Sequence, residues 1–289
     1  MNKSGVSAAV LSFFKDPDAS SVLSLAGNQV IAPTVRGQDL TDEELSMGGG
    51  VRLVMHIFDR SPSMKPAMKL MLDGFGGDYV AAIKEARGDD ISALRLAGLS
   101  FSSDITPIWQ KGGKLFHTLE QLPPLTKAEY NPENGMGTAL HQAIIEGYAL
   151  ALPYAAEIHK DTGIQPEIDV IVLTDGMNND NPLRPDPVST LIKGSKKDLV
   201  RWIFFFFETE PGACKSSDPD VNPEMIAKRL GFDSENTMLF GKKPGETDEE
   251  HRKRFRRMLR VMSRVSASKG TSAVQAAAAV NATPAESLL

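Results

Sequence analysis

Residues Val51–Met64 read VRLVMHIFDRSPSM. Apolar and branched side chains run without regular alternation up to Phe58 and stop at an acid, Asp59. A run of this kind marks a strand covered on both faces, as in a parallel sheet packed between helices. Its last residues then emerge at the carboxyl edge of the sheet, where open α/β sheets bind ligands. Asp59, Ser61 and Ser63 put three oxygen-bearing side chains on one short loop. Hard divalent cations such as Mg²⁺ take donors of that type.

Outward from this loop, strands and helices alternate. Met64 onward is helical, with Pro66 near the start. Gly74, Gly76 and Gly77 predict a break, with the helix resuming over Asp78–Arg87, where Tyr79, Ala82, Ile83 and Ala86 share a face. Leu94–Phe101 is a second buried strand, and Ser102-Ser103-Asp104 turns the chain into a third, Ile105–Gln110, as an antiparallel edge. The glycine-rich stretch Asn131–Leu140, NPENGMGTAL, feeds a helix with the apolar stripe Ala139, Ala143, Ile144, Gly147, Tyr148 and Ala151. Thr138 stands where a hydroxyl caps a helix. Ile168–Leu173 is another buried strand and ends in Thr174-Asp175-Gly176, again an acid at a strand's carboxyl end.

A helix over Ser189–Lys197 leads to the strand Val200–Phe207, VRWIFFFF, which has no polar face and belongs inside the sheet. A helix (Pro223–Leu230), a short strand (Thr237–Phe240) and a long helix (Thr247–Ser266) follow. The expected fold is α/β and doubly wound, a mostly parallel six-stranded sheet with one antiparallel edge strand and helices on both faces. Residues 1–48 read as an N-terminal extension, with a short helix in Gly5–Phe14 stopped by Asp16-Pro17 and a short strand over Asn28–Ala32. Residues 49–266 form the domain. Residues 267–289, rich in Ala and Ser, read as a flexible tail.

Composition narrows the function. The chain has 289 residues, 41% hydrophobic and 24% charged, an ordinary balance for a globular protein. A net charge of −5 argues against a general electrostatic nucleic-acid binder. The one cysteine, Cys214, excludes an internal disulfide framework and a multi-cysteine zinc site, and reads as a bystander thiol. No apolar run reaches the ~20 residues of a membrane helix. Val6–Phe14, interrupted by serines, makes a poor signal peptide, so a cytoplasmic protein is expected. The basic run His251–Arg260, HRKRFRRMLR, has Phe255, Met258, Leu259 and Met262 at helical spacing. It is read as a core-facing stripe with a solvated arginine face.

Two enzymatic readings fail on particular residues. An aspartyl phosphotransferase of the haloacid-dehalogenase type needs a second acid two residues after the first, and position 61 is serine. Gly135-Met136-Gly137 lacks the Lys-Ser/Thr of a phosphate-binding loop.

In chain order, then, come D-x-S-x-S (Asp59, Ser61, Ser63), a G-T-x-L helix start (Thr138) and T-D-G (Asp175). Over about residues 51–266 this resembles the von Willebrand factor type A (vWA) family and its metal-ion-dependent adhesion site. The resemblance implies a metal held by Asp59, Ser61, Ser63, Thr138 and Asp175, the hydroxyls directly and the acids directly or through water. The implied metal is Mg²⁺, with Mn²⁺ or Ca²⁺ as substitutes. It implies a non-enzymatic, Mg²⁺-dependent protein-binding module whose partner supplies an Asp or Glu carboxylate. Among subfamilies the chain resembles the stand-alone bacterial TerY-like proteins, which implies a stress-related or phage-linked assembly. The alternatives are an accessory subunit of an AAA-type ATPase or chelatase-like complex and, least favoured, a metal-dependent phosphohydrolase. Pro62 departs from the pattern, which often has glycine between the two serines. Proline fixes φ near −65°, so a loop needing positive φ there would be distorted.

Overall fold

In a computed structural model, residues 8–26, 40–41, 44, 50–88, 92–110, 113–176, 184–268 and 270–282 are described. Six strands form one sheet: β1 (Val51–Asp59), β2 (Ala93–Phe101), β3 (Ile105–Ile108), β4 (Glu167–Thr174), β5 (Val200–Phe207) and β6 (Thr237–Phe240). Their order is β3-β2-β1-β4-β5-β6. All neighbours are parallel except β2 and β3, which pair antiparallel through the Ser102–Asp104 turn. The architecture is the doubly wound α/β sheet expected from the sequence. Asp59 ends β1 and Thr174 ends β4, and these strands are direct neighbours, so both acids of the motif reach the same sheet edge.

The helices are α1 (Ala8–Leu11), α2 (Met68–Asp73), α3 (Tyr79–Arg87), α4 (Leu140–Thr162), α5 (Pro185–Gly194), α6 (Pro223–Leu230), α7 (Asp248–Ala267) and α8 (Ala273–Ala282). Two apolar cores lie on opposite sides of the sheet. Leu53, Met55 and Ile57 of β1 point to one, with Ile144 and Tyr148 of α4, Leu191 of α5 and Ile226 of α6. Val54 and Phe58 point to the other, with Tyr79 of α3, Phe255 and Met262 of α7 and Val280 of α8. The phenylalanine run divides the same way: Phe204 and Phe206 enter the first core, Phe205 and Phe207 the second. Each such buried side chain contributes about 1.5–3 kcal/mol relative to its exposed state. Both faces of the strand are thus apolar, which is why the run shows no alternation.

The break predicted at the glycines is present as a kink between α2 and α3: within Gly74–Asp78 the backbone leaves the helical conformation at Gly77 (φ 173°, ψ −39°). A β-carbon on Gly74 would lie 2.4 Å from Leu259 Cδ1, so glycine there lets α7 pack closely on the turn. Thr247 and Glu250 form a capping box at the start of α7, and Phe255, Met258, Leu259 and Met262 are buried as the stripe requires.

One expectation changes. Residues 273–282, placed by sequence in a flexible tail, form α8, with Ala273, Ala276, Ala277 and Val280 buried. Ser272 and Gln275 cap it reciprocally, Ser272 N–H donating to Gln275 Oε1 at 3.0 Å and Gln275 N–H to Ser272 Oγ at 3.2 Å. The described part of the extension packs on the helix side of the domain: Phe13 is fully buried, Phe14 meets Tyr148 edge-on at 5.9 Å, and Lys15 N–H bonds the Gly194 carbonyl at 2.8 Å. The strand expected over Asn28–Ala32 lies outside the described residues.

At the sheet end opposite Asp59, a buried ion network holds α7. Asp169 accepts from Arg201 at 2.5 and 2.9 Å and lies 3.4 Å from Arg52. Both arginines also donate to carbonyls of the last turn of α7, Arg201 to Val265 at 2.8 Å and Arg52 to Ser266. Cations at a helix C-terminus complement its dipole.

His56 lies fully buried beside this end of the core. Its Nδ1–H donates to the Ala97 carbonyl at 3.1 Å, and its Nε2 accepts from the Tyr79 hydroxyl at 2.5 Å. Burial drives its pKa down to about 4. A depressed folded value means stability that is complete above the unfolded pKa near 6.5 and is lost as pH falls toward 4. Chemical unfolding at stepped pH is expected to show a loss of roughly 3 kcal/mol across that window, and His56→Leu is expected to flatten it.

Candidate metal centre

The metal loop folds as a consequence of its own residues. Asp59 is fully buried, and its Oδ1 accepts the Ser61 N–H at 2.7 Å, which turns the chain after β1. Ser61 is extended (φ −60°, ψ 161°), and Pro62 opens a 3₁₀ turn, Pro62–Ala67. Proline suits the first position of a helical turn, where its missing N–H costs nothing. Trp109 is the only described non-glycine residue with positive φ, so the loop forms without the conformation that Pro62 would forbid. Arg60 turns away: its guanidinium meets Asp104 at 2.5 Å and Ser100 Oγ at 3.2 Å, on the β2–β3 side.

Hydrogen bonds join four of the five sequence-predicted residues. The Ser61 and Ser63 hydroxyl oxygens are 2.9 Å apart, and Ser63 Oγ donates to Asp175 Oδ1 at 2.8 Å. Asp59 belongs to the same cluster through the Ser61 amide. Thr138 is brought to the same edge by its loop. Gly135 is the contact point, since a β-carbon there would sit 2.5 Å from the Arg60 carbonyl oxygen and 3.3 Å from Pro62 Cδ. Ala139 N–H is tied to the Ser102 carbonyl at 2.7 Å. Thr138 is buried. It is not the cap the sequence suggested: α4 begins at Leu140 with Ala139 as N-cap and no side-chain cap bond. Gly135→Ala is expected to displace the 60–62 backbone and weaken divalent-ion affinity at least about tenfold while the five side chains stay intact, as read by calorimetric titration.

Three further residues hold the two acids: Thr174, which stands in the T-D-G motif, and Thr209 and Tyr130, which were not singled out from sequence. Thr174 Oγ1 donates to Asp59 Oδ2 at 2.5 Å, Thr209 Oγ1 to Asp175 Oδ2 at 2.5 Å, and the Tyr130 hydroxyl to the Asp59 main-chain oxygen at 2.7 Å. Thr209 is the second residue after β5, so a polar residue at a third strand's carboxyl end was the available signal. Beside it, Glu208 accepts from the Gly212, Cys214 and Lys242 amides and fixes that loop. Burial, and then Glu208, push the Cys214 thiol up to about 11, which disfavours the nucleophilic thiolate near neutral pH.

Electrostatically the centre is uncompensated. Burial and then the nearby Asp175 raise Asp59 to about 7, against the lowering effect of the Ser61 and Thr174 hydrogen bonds. Burial raises Asp175 as well. No Lys or Arg pairs with either acid among the described residues. Nor, among them, do three His, Cys, Asp or Glu side chains gather as a metal cluster. The donors here are two carboxylates and three hydroxyls, an all-oxygen set that fits a hard cation. Elsewhere, no helix among the described residues is long and apolar enough to cross a membrane.

No protein-family model matches the chain, and no curated protein matches it. Solved structures do. A von Willebrand factor type A protein from Catenulispora acidiphila is 18% identical, covering 75% of this chain and 42% of that one, with a TM-score of 0.42. The ArnB paralog VWA2 from Sulfolobus acidocaldarius is 22% identical over 63% of this chain and 38% of that one (TM-score 0.36). Proximal thread matrix protein 1 from the mussel byssus, solved with a zinc-occupied MIDAS motif, is 14% identical over 74% and 48% (TM-score 0.43). In each case the match spans less than half of the other chain. The structural neighbours named for their family are vWA domains, the family that the D-x-S-x-S, G-T-x-L and T-D-G motifs of this chain resemble.

Proposed function

We propose that Asp59, Ser61, Ser63, Thr138 and Asp175 hold a divalent metal ion, Mg²⁺ in the first place, and that the ion docks an acidic side chain of a partner protein. The observation that carries this reading is the pair of buried, like-charged carboxylates without a basic partner among the described residues. Leaving such charges uncompensated is costly, and a bound cation removes the cost. Two carboxylates balance the ion's charge, while neutral hydroxyls leave it able to take one more anionic oxygen. A partner's Asp or Glu supplies that oxygen.

We assign the chain no catalysis of its own, because position 61 holds a serine where aspartyl phosphoryl transfer needs an acid. The cellular setting, a cytoplasmic bacterial assembly of the stress-related or phage-linked kind, rests on the subfamily resemblance alone. The test is capture of partners on the immobilised chain in Mg²⁺ and in EDTA, with wild type and Asp59→Ala. Partners held only by wild type in Mg²⁺ are expected. The same partners in all four conditions would contradict metal-mediated docking.

A further inference from the structure

Met136 is 84% exposed, against 42–48% for the other exposed large hydrophobic residues described, Leu25, Met225 and Val274. A lone apolar residue on a surface is ordinary. This one is set apart by where it stands and how it is held. It sits between Gly135, which packs against the Arg60 carbonyl and Pro62 Cδ, and Gly137, which is buried. Thr138 follows two residues later. The backbone that carries Met136 is therefore seated on the metal loop itself. Pro62, also exposed, lies between Ser61 and Ser63. Two exposed apolar residues on constrained backbone thus stand beside the three hydroxyl-bearing residues in the chain, Pro62 between Ser61 and Ser63 and Met136 two residues before Thr138.

We propose that Met136 and Pro62 form an apolar rim of the docking site, and that the partner segment carries a large apolar residue within two positions of its metal-binding Asp or Glu. This rests on the metal-docking reading above. A carboxylate reaching an ion over the exposed Ser63 brings its chain neighbours within reach of the rim, and covering Met136 removes apolar area from water. A methionine accommodates several apolar shapes, so the expected preference is for Leu, Ile, Met or Phe as a class.

The test is selection of a displayed random-peptide library on the full chain in Mg²⁺, eluted with EDTA, with wild type, Met136→Ser and Asp59→Asn run in parallel. Met136 is exposed and outside the ligand set, so Met136→Ser leaves the fold and the ion intact. The expected result is acid-bearing peptides enriched in a neighbouring large apolar residue on wild type. On Met136→Ser the acid is retained, the apolar preference is lost, and the selected peptides bind about tenfold more weakly. An acid without an apolar neighbour on wild type, or an unchanged preference on Met136→Ser, would overturn the rim and leave metal docking standing. Failure to select any EDTA-eluted, acid-bearing peptide, or equal selection on Asp59→Asn, would overturn metal docking and the rim with it.

Discussion

Asp59→Asn is expected to raise the melting temperature of the metal-free protein at pH 8 and to abolish the further rise that Mg²⁺ gives wild type. Both effects follow from one carboxylate. Burial and Asp175 hold Asp59 up at about 7, against 3.8 unperturbed. A raised folded pKa means that the stability of the neutral acid is complete below 3.8 and is lost as pH climbs through 7. At pH 8 the metal-free wild type therefore carries an ionised, buried acid facing Asp175, and the amide relieves it. Each kcal/mol recovered corresponds to about 2–4 °C in a chain of this size class. Mg²⁺ stabilises wild type by binding only the folded state, by an amount that grows with ion concentration. The variant has lost the ligand and gains nothing. A thermal melt in EDTA and in Mg²⁺, at pH 5 and pH 8, separates the two parts, since the gain from the substitution should shrink at pH 5, where wild type is largely protonated at this site.

Asp169→Ala is expected to be the most destabilising single substitution outside the apolar cores. Arg52 and Asp169 side chains are each only 4% exposed, and Arg201 15%. Removing the acid takes away the buried carboxylate that Arg201 and Arg52 share near the end of α7. Breaking a buried pair in this way costs about 3–5 kcal/mol. Replacing a whole buried pair with apolar residues is often neutral, so Arg201→Met combined with Asp169→Leu should recover part of the loss, the contact of Arg52 with Asp169 staying lost. Denaturant unfolding measures both. A loss below about 1 kcal/mol for Asp169→Ala, the range of exposed pairs, would show that the network is solvated. Mg²⁺ affinity is expected to hold in this variant, because the network lies at the opposite end of the strands from Asp59.

The fold was legible because buried strands and amphipathic helices write different periods. The run Val51–Phe58 and the phenylalanines of β5 could not belong to a one-sided sheet, and the stripe of α7 could belong only to a helix. The candidate site was legible because its acids stand where strands end: Asp59 after β1 and Asp175 after β4. What escaped was set by contacts distant in sequence. Thr138 has the chemistry of a cap, but the Ala139 amide is taken by the Ser102 carbonyl and the helix starts after it. Tyr130 and Thr209 reach the acids only through the fold. Helix α8 escaped for a different reason. Alanine on every face gives no periodic contrast, although alanine favours helix and packs closely, and the Ser272–Gln275 capping pair was the signal to read. Pro62 was the residue that put the loop in question. The answer lay in the extended Ser61 before it and the 3₁₀ turn it begins.

The central claim is that this edge of the sheet takes a divalent cation through Asp59. Calorimetric titration of MgCl₂ into the EDTA-stripped, dialysed chain at pH 6 and pH 8 tests it most directly. The expected result is a single ion per chain, bound more tightly at pH 8, with proton release at pH 6 as Asp59 ionises, and no binding by Asp59→Asn. Absence of binding by wild type, or equal binding by Asp59→Asn, would contradict the account.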